Sequence, residues 1–199
     1  MNPVVLVGGF IPLVLFSLLD GPVSVGGAAA IGAGAAVVIA VIMFRRGIPT
    51  LPIVQAVTLA VFSAIAFSSS PATQHWLATY GRGVPSLVLA AFMLVTAPFF
   101  PFTASIARGS VSPEVAASPR FIDLNRRISA AWGVAVLVLG LCRMATAAVS
   151  TSSLPKFQAH LIEWGPTVIA VILALRYTQR AVAAAHTGSS AEPQPVRDY

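Results

Sequence analysis

The stretch VSVGGAAAIGAGAAVVIAVIMF, residues 23–44, contains no charged residue and is long enough to cross a bilayer as a single helix. Hydrocarbon about 30 Å thick requires about 20 residues at 1.5 Å rise each. Five further apolar runs lie on either side of it: Val4–Leu19, Leu51–Phe67, Pro85–Ala107, Ile128–Val149 and Leu161–Tyr177. Peptide groups in lipid must find partners within the protein, so such runs are helices or strands of a closed barrel. Barrel strands alternate apolar and polar residues. Ala35–Phe44 and Val134–Leu141 are apolar at nearly every position, which leaves helices.

Composition agrees with lipid as the solvent. Hydrophobic residues make up 57% of the chain and charged residues 9%, against about 25% charged in soluble domains. The expected fold is all-α, a polytopic transmembrane bundle of six helices at about 3–19, 23–44, 51–68, 85–107, 128–150 and 160–178. It forms one domain over 1–180, and the polar, proline-containing segment 186–199 is a disordered cytoplasmic tail. Met1–Leu19 has no Lys or Arg ahead of its apolar stretch and is interrupted by Pro12, so it reads as an uncleaved first helix rather than a leader.

With six crossings, Arg45, Arg46, Arg108, Arg120, Arg126, Arg127, Arg176, Arg180 and Arg197 share one side, and only Arg82 and Lys156 face the other. Basic residues in short loops stay on the cytoplasmic side, so the expected arrangement is N-in/C-in. The net charge of +6 therefore belongs to helix ends beside anionic headgroups, not to a nucleic-acid surface. Arg108, Arg120, Arg126, Arg127 and Trp132 are the expected contacts with lipid or with a membrane or cytoplasmic protein partner. Ser112-Pro113-Glu114 opens a short helix that Ser118-Pro119 ends, and Ser70-Pro71 opens another, with Trp76 and Tyr80, in the outer headgroup plane.

Inside the membrane, Ser24, Ala28, Gly32 and Ala36 form a stripe of small residues at spacing four, and Gly133 and Gly140 stand seven apart. Small side chains let helices approach closely where dispersion drives association, and the first of these helices is expected at the centre of the bundle. Pro12, Pro98 and Pro101 each remove an amide donor and predict helix kinks. Arg143 lies about 22 Å from the inner end of the fifth run; insertion scales assign an arginine roughly 2.5 to 3.5 kcal/mol at a helix centre and less nearer the interface. His160, Glu163 and Asp20 fall in the same outer half and complete a candidate intramembrane polar cluster around it.

Enzyme signatures are missing: the sequence has no His-x-x-x-His, Cys-x-x-Cys, Gly-x-Ser-x-Gly or phosphate-cradling loop. His75, His160 and His186 are scattered and Cys142 is single, so neither a metal site nor a cofactor is expected. Pro101-Phe102-Thr103, Ala107-Arg108, Pro113-Glu114, Pro119-Arg120-Phe121 and Asn125–Gly133 together resemble a pattern in bacterial multi-pass membrane proteins, some labelled intracellular septation protein A-like. The resemblance covers residues 101–133 and implies an inner-membrane helical protein linked to the cell envelope or division. It implies no catalytic residue and no ligand. The expected role is a structural or interaction component of the envelope; the alternative is a small-solute secondary transporter using the kinked helices and Arg143.

Overall fold

A computed structural model of the chain describes residues 8–19, 23–44, 49–81, 83–149 and 156–189, without the side chains of 149, 156, 157, 159, 160, 163 and 186–189. Nine helices are present among the described residues: α1 Ile11–Leu19, α2 Val25–Phe44, α3 Thr50–Ser68, α4 Pro71–Tyr80, α5 Val84–Thr96, α6 Phe102–Arg108, α7 Pro113–Ala117, α8 Pro119–Val149 and α9 Lys156–Ser189. No strand longer than an isolated bridge occurs among them.

Four of these helices carry membrane-length apolar segments, at Val25–Phe44, Thr50–Ser68, Pro119–Ala148 and Trp164–Ala185. The pair α4 and α5, bent by 60°, brings the number to five if it is one broken span. The chain is thus a predominantly helical, multi-pass membrane protein, but the six-helix expectation fails. Both termini share a side for any even number of crossings, so a count of four keeps the N-in/C-in arrangement open and a count of five separates the ends.

Proline chemistry explains the break in the fourth run. In the first run the described helix is only Ile11–Leu19, about 14 Å of rise. Pro12 sits in its first turn, where a missing N–H is tolerated, and a turn at Gly9 and Phe10 separates it from the helical Gly8. The Leu13 and Val14 amides both donate to Phe10 O, at 3.1 Å each. In the fourth run the expected kink is a full break. The Phe99 and Phe100 amides both turn back to Thr96 O, at 3.0 and 2.7 Å, and Pro101 leaves the helical region with φ −62° and ψ 118°. Pro98 and Pro101 thereby bracket a non-helical bend, with α5 on one side and the seven-residue α6 on the other.

Serine hydroxyls set the ends of the short helices. Ser70 caps α4 by accepting from the Thr73 amide, and Ser112 caps α7 by accepting from Val115. Ser118 works at a junction: its hydroxyl donates to Val115 O at 2.8 Å, ending α7, and accepts from the Phe121 amide at 3.2 Å, opening α8. At α9 the helix runs through Pro166 and on to Ser189, so its backbone is still helical at 186–189; residues 190–199 of the expected tail lie outside the described residues.

Small residues govern how the helices meet. On α2, Ala28 and Ala36 are fully buried and Gly32 is buried with them. A Cβ at Gly32 would stand 3.0 Å from Leu59 Cδ1 and 3.1 Å from Pro12 O, so α1, α2 and α3 converge there. Ser24, at the head of the same stripe, is exposed, and its hydroxyl accepts from the Gly27 amide at 3.2 Å. Yet α2 is peripheral. It packs chiefly on α1 and α3, and Val37, Val38, Val41, Ile42 and Phe44 on its other face are exposed, as lipid-facing residues must be. The expected centre is instead α8, which meets α4, α5, α6, α7 and α9.

The α5–α8 seam is antiparallel and tight. A Cβ at Gly83 would lie 2.8 Å from Met144 Cγ, one at Gly140 2.7 Å from Leu87 Cδ2, and one at Gly133 2.9 Å from Leu94 Cδ2. Gly140→Val should therefore destabilise the bundle by about 1–3 kcal/mol through overpacking. Gly34→Leu, where no atom lies within 4 Å of a new Cβ, should cost nothing. Unfolding titrations of the purified protein in mixed micelles compare the two.

Candidate functional site

A cluster of polar side chains from different helices joins α6 to α8 just past the 97–101 break. A helix start leaves backbone N–H groups without partners, and Pro101 offers α6 no side-chain cap. The neighbouring helix supplies one. Ser129 Oγ accepts from the Thr103 amide at 3.3 Å, and the Ser129 and Thr103 hydroxyls lie 2.9 Å apart. The Thr103 hydroxyl also donates to Asn125 O at 3.0 Å, so its single proton is engaged and Ser129 must be the donor between the two hydroxyls. Asn125 Nδ2 donates to Phe121 O at 2.8 Å. Thr103, Asn125 and Ser129 are all buried.

Other buried polar groups act the same way. Ser63 donates to Gly26 O at 2.9 Å and joins α3 to α2. Gln55 Nε2 donates at 2.8 Å to Gly9 O, a carbonyl whose usual helical partner, the Leu13 amide, has turned to Phe10 O instead. Trp132 is not at a headgroup surface. It is 3% exposed, stacks on Phe10 with ring centroids 5.1 Å apart, and donates from Nε1 to Thr178 Oγ1 at 3.2 Å, tying α9 to α8. Sequence reading passed over Gln55, Thr103, Asn125 and Ser129 as site residues. The available signal was Asn125 and Ser129, one turn apart on α8, paired with a threonine two residues after a helix-breaking proline.

Arg143 is 4% exposed, and its guanidinium carbon lies 5.6 Å from the centre of the Trp164 ring on α9. A cation over an indole face is favoured electrostatically, the more so when desolvated. His160 and Glu163 belong to the helix that presents Trp164, but their side chains, and all of Asp20, lie outside the described residues. The contact links α8 and α9 near one end of the bundle, and Trp132–Thr178 links them further along in antiparallel register.

That register returns the distal part of α9 to the end where α8 begins. Arg108, Arg120, Arg126, Arg127, Arg176 and Arg180 are all exposed there, beside a small apolar cluster of Ala104, Ala107 and Phe121. Asp123 pairs with Arg127 at 2.9 Å in the open, a contact of a few tenths of a kcal/mol. The Ser112 hydroxyl, followed by Glu114's own amide, hydrogen-bonds the Glu114 carboxylate and holds its pKa below the ordinary range, so the charge persists at the start of α7, where the helix dipole favours it.

Chemically, the buried cluster consists of neutral hydroxyls and amides engaged with one another. Among the described residues no group of three His, Cys, Asp or Glu side chains could hold a metal ion. No protein-family model, curated protein or solved structure matches the chain.

Three variants probe these contacts. Thr103→Val removes the donor to Asn125 O and leaves Ser129 without its hydroxyl partner; a loss of about 1 kcal/mol is expected, within the range of interhelical hydrogen bonds in membranes. Trp164→Leu should lower stability by roughly 0.5–2 kcal/mol by removing the ring beneath Arg143, and Trp164→Phe should recover part of it. Thermal midpoints in one detergent measure all three.

Proposed function

We propose that this protein is a structural and interaction component of the bacterial cell envelope, seated in the inner membrane, with its arginine end against anionic headgroups and available to a protein partner. One observation carries the reading: six of the seven described arginine side chains lie exposed at a single end of the bundle, while the buried hydroxyls and the Trp132 indole tie helices to each other. Such a bundle is built to hold its shape. Charge of one sign at one end is what the anionic leaflet attracts, at roughly 1 kcal/mol per residue. The resemblance of residues 101–133 to septation-type membrane proteins is in keeping with this role, because the matched stretch holds Arg108, Arg120, Arg126 and Arg127 and the hydroxyl cluster behind them.

Replacing Arg108, Arg120, Arg126 and Arg127 with Gln tests the proposal. Membrane insertion should be unchanged, whereas in-cell crosslinking should lose a specific partner and the protein should lose its localisation. If partner and localisation persist, and proteoliposomes show a solute flux that Arg143→Ala abolishes, the scaffold role is wrong and transport takes its place.

A further inference from the structure

Arg176 and Arg180 stand apart from the other surface arginines. They are one turn apart on α9, and both point away from the face that carries the buried Thr167, Ala174 and Thr178. No acidic residue occurs between Trp164 and Ser189, and neither arginine takes part in an ion pair among the described residues. Arg127 has Asp123 one turn away; among the described residues these two have no such carboxylate. Like charges at this spacing repel weakly, a repulsion that an external anion between them relieves.

The residues preceding them on the same face say which anion. Ile169 and Leu173 lead into Arg176 and Arg180 at helical spacings of four, three and four, and they are 60% and 61% exposed. Tyr177, 41% exposed, adjoins the pair, and tyrosine concentrates at the level of lipid headgroups. Along this one face the helix thus offers an apolar stripe and then two cations about 5–6 Å apart between Cβ atoms. That order, apolar and then cationic, is the order of an acyl chain and its phosphate. A soluble anion would have no use for the Ile169–Leu173 stripe. Arginine forks suit phosphate oxygens.

We propose that Arg176 and Arg180 form a binding site for one anionic phospholipid, the phosphate held between the two guanidinium groups and an acyl chain laid along Leu173 and Ile169. The site rests on the membrane-embedded reading but not on the connector arginines.

Native mass spectrometry of the detergent-purified protein with phosphatidylglycerol, phosphatidylcholine or inorganic phosphate tests it. The wild type should retain one phosphatidylglycerol and hold it at least tenfold more tightly than phosphatidylcholine. Arg176→Gln/Arg180→Gln should lose that preference, and Arg126→Gln/Arg127→Gln should keep it. Equal retention by the 176/180 variant overturns the site. Loss in the 126/127 variant alone overturns it too, and leaves the arginine-end reading standing. Displacement of the lipid by equimolar phosphate would assign the pair to a soluble anion, against the proposal.

A second measurement leaves both arginines in place. A spin label at Leu173→Cys, in a Cys142→Ala background, should be broadened more by doxyl-labelled phosphatidylglycerol than by the phosphatidylcholine analogue. Equal broadening overturns the site even if the double variant fails to fold.

Discussion

The seam between α5 and α8 is the constraint on which the rest of this structure depends. Lipid gives helices no hydrophobic incentive to associate, so contact must come from dispersion and from hydrogen bonds between helices. Glycines at 83, 133 and 140 allow Met144, Leu94 and Leu87 to lie where a methyl group would not fit. Once α5 is fixed on α8, the break after Thr96 delivers α6 to the part of α8 that bears Asn125 and Ser129. The hydroxyl cluster then follows from backbone chemistry: a helix restarted inside the bundle has unpaired amides, and only a neighbouring helix is close enough to meet them.

The second half of the bundle shows the same economy with aromatic residues. Trp132 carries three functions in one side chain: it fills the core, stacks on Phe10 and hydrogen-bonds Thr178. Thr178 in turn donates to Ala174 O at 2.8 Å, so its hydroxyl proton stays with its own helix while its lone pair serves the indole. At the other end of the α8–α9 pair, Arg143 and Trp164 reverse the roles, with the cation on α8 and the ring on α9. Two side-chain contacts of different chemistry set the register of the two longest helices.

How much of this could be read in advance depended on how local its cause was. The apolar runs 23–44 and 51–68 lead directly to α2 and α3, and the Ser-Pro pairs at 70–71 and 112–113 lead to α4 and α7, because each signal lies within the element it specifies. Crossing number was not local in this sense. Pro98 and Pro101 each predict a kink, but their sum, two missing amide donors with Pro101 in the extended region, abolishes the helix. The position of α2 was misjudged because a stripe of small residues says that a partner approaches, not how many do. Trp132 has the sequence context of an interfacial anchor, and only the approach of Phe10 and Thr178 from distant parts of the chain makes it interior. Around Arg143 the sequence pointed to charged partners on α9, while the neighbour described there is an indole.

The length of α8 has a further consequence. Its 31 residues rise about 46 Å, well beyond the roughly 30 Å of hydrocarbon. The excess is at the Pro119 end, where the last polar turn before Ile128 carries Asp123, Arg126 and Arg127. A thicker bilayer would draw that ion pair and its neighbouring cation among acyl chains, whereas a thinner one would uncover Ile128 and wet the serine behind it. Polar and apolar side chains thus change over within this one turn, which ties the depth at which α8 sits to the thickness of the bilayer around it.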